Sequence, residues 1–319
     1  MKEIIQFEPL YQERIWGGCA LEEFAGRTLP GARRIGESWE LVDRPEAQSV
    51  VRDGPYAGRT LHALLTEQAA EIMGPGWPAP RAFPLLVKWL DCRERLSLQV
   101  HPPEPAAGLL GGEPKTENWY IAAAAPGAAV FVGLEPGVTR DQFERAIASR
   151  TLEACLRRIP VVAGDSILVH SGTVHTIDAG CLILEIQQNS DTTYRVYDWG
   201  RVGLDGRPRK LHVRESLASI QFYGAVDSPL VPAADTPAVL ADSKEFRLRR
   251  VPLATGAEFR VAGRQQPRIL SVVAGRVRTG SRILRRGDNA LLPYAGSFAF
   301  AALEKSVVLV TEHFAVLGS

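Results

Sequence analysis

Short apolar runs recur along the chain, each broken by glycine or proline: FPLLVKWLD, AAVFVGL, DSILVH, CLILEIQ and SVVLVTEHFAVL. Many short strands separated by turn signals predict a β-sandwich or barrel. Two stretches carry helical spacing instead. TLHALLTEQAAEIMG stops in a glycine. TRDQFERAIASRTLEACLRRI opens at Thr139, an N-cap candidate, and places Phe143, Ile147 and Leu152 near one face. Both are expected as helical insertions decorating a β core.

One run alternates strictly. In RLSLQVHPPEP, Leu96, Leu98 and Val100 fall on one face of a strand, and Ser97, Gln99 and His101 on the other. The first face wants a core. The second reads as the floor of a pocket. Pro102 and Pro103 stop the strand at once, because proline lacks the N–H that continues a ladder. That stop is expected to leave His101 at a barrel mouth.

A fainter pattern is a repeat. GDSILVHSGTVH, starting at Gly164, and GDNALLPYAGSFAF, starting at Gly287, share an opening Gly-Asp, an apolar run and a small-residue turn. The second copy lacks the histidine. The echo fits two barrels of one kind, one with a site and one without. Between them lies AVDSPLVPAADTPAV, residues 225–239, a linker candidate. The expected domains are 1–235 and 236–319.

Composition narrows the class. The chain has 319 residues, 45% hydrophobic and 23% charged, which is ordinary for a globular protein large enough for two domains. A formal net charge of +1 offers no global field for nucleic acid or a membrane surface. An anionic small substrate has to be caught by a local basic cluster. The opening MKEIIQFEPLYQERIWGG is interrupted by charges and reads as neither a signal peptide nor a span. Cys19, Cys92, Cys155 and Cys181 are scattered with no CxxC pair, which argues against a disulfide scaffold and a cysteine zinc site. The cytoplasm is the expected compartment. Nothing in the sequence sets the oligomeric state.

Three segments supply metal-ligand residue types: Gln99 with His101, Glu117 in GGEPKTENWYI, and His175 in GDSILVHSGTVHTIDAG. Neighbouring barrel strands point alternate residues inward, and a tight turn aims the last one. Two histidines with oxygen donors suit Zn²⁺ or another borderline divalent ion, and a site without thiolates and with an open position is catalytic in type.

The spacing G-x5-H-x-G-x2-H from Gly164 to His175 resembles the second motif of the cupin superfamily, with His170 where proline is usual and Ala179 where asparagine is frequent. Further pieces resemble the type I mannose-6-phosphate isomerases (phosphomannose isomerases) in their short bacterial form. They are ERIWGG, GESWEL, FPLLVKWLD, LSLQVHP, KTENWYI, GTVHTI and LEIQQNSDTTYRVYDWGR, in that order over the first two-thirds of the chain. The last 80 or so residues match only as a second, degenerate cupin-like barrel. The resemblance implies a mainly β fold of two cupin-type (jelly-roll) barrels with helical insertions. It implies one zinc ion per chain on His101, Glu117 and His175, with Gln99 as a further ligand, and a catalytic Arg195. It also implies interconversion of mannose 6-phosphate and fructose 6-phosphate.

Moving a proton between C1 and C2 through an enediol needs a base and cations beside the substrate oxygens. Glu185, Asp191, Lys115 and a metal-bound water are the base candidates. Glu185 lies inside the apolar CLILEIQ, where burial raises a carboxyl. Arg195, Lys115, Lys88 and Arg201 are candidate phosphate holders, and Ser97 a candidate substrate contact. Lys88 is conspicuous within PLLVKWL and is expected to face the barrel interior. Trp16 and Trp119 read as core or rim packing. The rivals are a sugar-phosphate-binding cupin without activity, and a metal-dependent cupin enzyme acting on another sugar.

Overall fold

The computed structural model describes residues 2–31, 34–223 and 229–315. The strands form two pairs of antiparallel sheets and a two-stranded ribbon, as the mainly β expectation requires. In the first pair, a seven-stranded sheet runs Leu10–Gly18, Ile35–Leu41, Leu85–Cys92, Cys181–Gln188, Glu117–Ala124, Ser166–Val169 and Leu230–Val231. Its five-stranded partner runs Tyr194–Tyr197, Leu98–Val100, His175–Ile177, Ala129–Leu134 and Leu156–Pro160. Leu90, Trp119, Ile121, Val130, Val132, Ile177 and Ile183 from both sheets fill part of the interior.

The second pair sets Ala238–Asp242, Arg247–Leu253, Ser306–Glu312, Arg268–Ala274 and Asn289–Leu292 against Glu258–Val261, Phe298–Ala302, Arg276–Thr279 and Arg282–Arg285. Much of its interior is apolar, with Leu270, Val272, Val277, Leu284, Phe300, Val308 and Val310 in one cluster. The N-terminal segment crosses to this side, where Ile5 exchanges backbone hydrogen bonds of 2.9 and 2.8 Å with Leu291.

A third cluster lies between the two pairs. The outer face of the seven-stranded sheet (Leu41, Val87, Trp89, Leu184) packs on Leu61, Leu64 and Leu65 of the helix Leu61–Ile72. The same cluster takes in Leu248, Ile269, Leu291 and Leu309 of the second pair. Every residue of Leu85–Cys92 is therefore buried. Val87 and Trp89 face this shared core, and Lys88 and Leu90 face the barrel interior, which resolves the odd lysine in an apolar run.

The helix opening at Thr139 forms with a full capping box, Gln142 reaching back to the Thr139 N–H, but it spans only Arg140–Ser149. Arg150 turns left-handed at φ 60°, and the rest of the expected helix becomes a short 3-10 turn and the strand Leu156–Pro160. Leu156 and Ile159 find burial against Ala129–Leu134, a contact that the helical reading of these residues missed. Leu98 and Val100 pack under these covering helices with Phe131 and Phe143, outside the barrel interior, whereas Leu96, expected on the same face, precedes the strand and lines the interior cavity beside Ser97 and Gln99. Of the expected linker 225–239, residues 225–228 lie outside the described residues. The remainder is pinned: Leu230–Val231 pairs with Ser166 and Ile167, and buried Arg250 donates to the Pro232 and Thr236 carbonyls.

Candidate metal centre and active site

Three buried side chains converge in the first barrel. His101 follows the strand Leu98–Val100, Glu117 opens Glu117–Ala124, and His175 opens His175–Ile177. One ligand atom from each lies within 4.8 Å of the others. Backbone carbonyls fix both rings: His101 Nδ1 meets Thr192 O at 2.8 Å and His175 Nδ1 meets Thr173 O at 2.8 Å. A carbonyl can only accept, so each Nδ1 carries the proton and each Nε2 presents a lone pair. These lone pairs face Glu117, with His101 Nε2 at 3.4 Å from Oε2 and His175 Nε2 at 3.3 Å from Oε1.

Acceptors facing acceptors in a buried site leave a need for a cation. His101 Nε2 and both Glu117 oxygens make no hydrogen bond of good geometry. The nearest compensation is the Lys115 ammonium, 2.9 Å from Glu117 Oε2 and 3.3 Å from Gln187 Oε1. Burial, with Lys115 next, pushes His101 down to about 3, and burial lowers His175 as well. Burial alone would raise Glu117, but Lys115 and the two histidines hold it well below the carboxylate range. Neutral imidazoles and an ionised carboxylate are the ligating forms. The residues therefore fit a divalent metal. Gln99 stands opposite His175 in the ladder, its amide nitrogen 3.3 Å from His175 Nε2.

A cavity of about 310 Å³ opens beside the triad. Lys88, Ser97, Gln99, Lys115, Glu185, Asp191 and Arg195 all line it. Lys88 Nζ sits 2.8 Å from Glu185 Oε2 and 4.0 Å from Glu37 Oε2. The Trp119 indole donates to Glu185 Oε1 at 2.9 Å and presents its ring edge-on to His175. Burial, then the nearby Glu117 charge, raises Glu185, while burial of Lys88 is outweighed by Glu185 and Glu37, which keep it protonated. Arg195 donates to Lys210 O at 2.8 Å through Nη1, and its buried Nε makes no hydrogen bond.

Arg201 does not line the cavity. Its guanidinium is held by Asp198 at 2.9 Å and by the Arg95 carbonyl. Arg209 lines it instead, with its Nε 2.6 Å from Asp198 Oδ2. Arg14, Trp16 and Glu37 also line the cavity, and sequence reasoning assigned no chemistry to Arg14, Arg209 or Glu37. Glu37 lies in the largely buried strand Ile35–Leu41, but Gly36 and Ser38 flank it, so no apolar run marked it as Lys88 is marked. His170 lies elsewhere, in a separate crevice with Pro103 and Lys244.

A family model described as the catalytic domain of type I phosphomannose isomerase matches residues 4–126. Mannose-6-phosphate isomerase ManA of Bacillus subtilis is 36% identical over 324 residues, covering 96% of this chain and 98% of that protein. The mannose-6-phosphate isomerase of Streptococcus mutans is 36% identical over 307 residues, covering 90% of this chain and 92% of that protein. The crystal structure of the Bacillus subtilis mannose 6-phosphate isomerase superposes with a TM-score of 0.86 at 32% identity, covering 98% of this chain and all of that one.

Proposed function

This chain belongs to the type I phosphomannose isomerase family, and on that premise we propose that it interconverts mannose 6-phosphate and fructose 6-phosphate with one zinc ion per chain. The observation that carries the reading is the buried His101, Glu117 and His175 set, with ligand atoms within 4.8 Å of one another and His101 Nε2 and both Glu117 oxygens without a hydrogen bond, beside a cavity lined with cations. Gln99 is the fourth ligand of the proposal. Nitrogen and oxygen donors without thiolate favour zinc among borderline ions. When bound, the metal supplies positive charge beside the substrate oxygens at C1 and C2.

The chain's own residues supply the rest. Arg195, with its free Nε, and Arg209 take the phosphate as charged forks. Glu185 removes the C2 proton of the open-chain aldose and returns it to C1, while the hydroxyl proton on O2 leaves and O1 gains one. Its carboxyl is raised by burial, as a base working near neutrality requires. Lys88, kept charged, stabilises the oxyanion of the enediol. Ser97 and Asp191 at the cavity wall hold sugar hydroxyls, and Lys115 orients Glu117.

The domain boundary at 235/236 is part of the proposal. It is supported by the strands, which change partners between Leu230–Val231 and Ala238–Asp242. A cytoplasmic setting is supported by four free cysteines. No helix among the described residues is long and apolar enough to cross a membrane.

A coupled assay of mannose 6-phosphate to fructose 6-phosphate, with metal analysis and with chelator, tests the reading. The expected result is zinc near one per chain, turnover, and loss of turnover on chelation that zinc restores. No turnover by the zinc-loaded protein refutes the activity. Turnover persisting after full metal removal refutes the metal's role.

A further inference from the structure

The strand Leu10–Gly18 does not pair evenly with Ile35–Leu41. Glu13 and Gly18 both stand opposite Ile35, so residues 14–17 form an excursion that swings Arg14 and Trp16 into the cavity wall. The backbone is tied there: Arg14 N donates to Arg34 O at 3.1 Å, and Glu94 N donates to Trp16 O at 3.1 Å. The crossing needs two glycines. A Cβ on Gly17 would lie 2.4 Å from Gly36 N, and one on Gly36 would lie 2.5 Å from Arg14 Cβ. Both glycines belong to the ERIWGG and GESWEL pieces, which otherwise have no assigned chemistry.

What the excursion delivers is a fork on Glu37. Arg14 Nε and Nη2 reach Glu37 Oε1 and Oε2 at 3.0 and 3.3 Å, and the Trp39 indole donates to Oε2 at 2.7 Å. Glu37 is thereby occupied. Lys88 stands between two carboxylates and keeps its short contact for Glu185, 2.8 Å against 4.0 Å to Glu37. Without the fork, Glu37 would be a buried carboxylate with one indole partner and a lysine within reach, and the ammonium would be drawn to it. We infer that Arg14 is a positioning residue: by occupying Glu37 it leaves Lys88 to Glu185 and so sets the geometry of the proposed base and its neighbouring cation. The inference rests on the roles proposed above for Lys88 and Glu185.

The test is Arg14→Gln, with Arg14→Lys and Glu37→Gln beside it, on the zinc-loaded full chain. In Arg14→Gln, kcat is expected to fall about tenfold, as for loss of a supporting partner, while KM changes less than about threefold. Arg14→Lys restores part of the loss. Adding Arg14→Gln to Glu37→Gln costs nothing further, because Arg14 acts through Glu37. A crystal structure of Arg14→Gln supplies a readout independent of turnover: Lys88 Nζ is expected closer to Glu37 than to Glu185. An unmoved Lys88 with unchanged kcat overturns the inference. So does a raised KM at constant kcat, which would make Arg14 a substrate contact. If the wild-type chain shows no turnover, the proposed activity falls, and the position of Lys88 in the variant still decides whether Arg14 sets the pairing.

Discussion

The two barrels share a backbone plan and differ in what fills it. Gly164 N donates to Ile121 O at 2.7 Å and Ile121 N to Asp165 O at 2.9 Å; Gly287 N donates to Val272 O at 2.8 Å and Val272 N to Asp288 O at 2.9 Å. In both turns the Asp carboxylate accepts from the N–H three residues back, Val162 or Arg285, at 2.8 Å. Both glycines are left-handed, at φ 97° and 95°. With the ladders matched from this corner, Gln99 opposite His175 becomes Phe259 opposite Phe300. Glu117 opposite Val169 becomes Arg268 opposite Leu292, and Glu185 opposite Trp119 becomes Val310 opposite Leu270. The second barrel fills most of its interior by apolar packing and pairs its buried Arg268 with Glu312 at 3.2 Å. The other gives up that packing for buried charges that need partners, which is how a site is built at a cost in stability.

The sharpest way to separate the two is to empty matched positions. His175→Ala should lower kcat/KM by roughly a thousandfold or more and abolish stoichiometric metal, since it removes a ligand at the reacting centre. Phe300→Ala, at the corresponding fully buried position, should instead cost about 3–5 kcal/mol in denaturant unfolding and leave metal content unchanged. Metal loss in the Phe300 variant would break the comparison.

Lys88 and Arg249 form the next pair, opposite Glu185 and Val310 respectively. Lys88→Met should lower kcat about a hundredfold. Arg249→Met removes a half-exposed partner of Glu312 and should cost about 1 kcal/mol or less of stability, with turnover intact. Unchanged turnover and Michaelis constant in Lys88→Met would remove the lysine from the mechanism.

The smallest effect expected is on acid stability. Burial alone would raise Glu37, but Lys88, Arg14 and Trp39 bring it down from 4.5 to about 2. The unfolded chain then takes up this proton at a higher pH than the folded one. The stabilisation is complete above the ordinary value and drains away as the pH falls towards 2. Between about pH 6 and pH 3, urea unfolding of Glu37→Gln should lose about 2 kcal/mol less than the wild type does. Equal losses would remove Glu37 from the acid response.

The legible parts were those fixed by local pattern. Alternation placed Gln99 on the pocket floor, Thr139 began its helix, and the tight turn ahead of His175 joined two strands as expected. Long-range choices were not legible. Asp198 takes both Arg201 and Arg209, and only the course of the loop decides which guanidinium meets the cavity. Arg14 enters through a register excursion, which no period-two pattern encodes. Arg150 ended its helix because Leu156 and Ile159 found a sheet to join.

The Gly287 carbonyl accepts from Arg27 Nη2 at 2.7 Å and from the Trp89 indole at 3.2 Å, and Arg27 also grips Glu40 at 2.7 and 2.8 Å. Trp89 is the neighbour of Lys88 on its strand, and Glu40 shares a strand with Glu37. The second barrel thus holds, from behind, the two strands whose front faces line the cavity. Heating should melt both halves in one cooperative transition, and a chain cut after residue 235 would present a bare apolar sheet to water rather than a smaller enzyme.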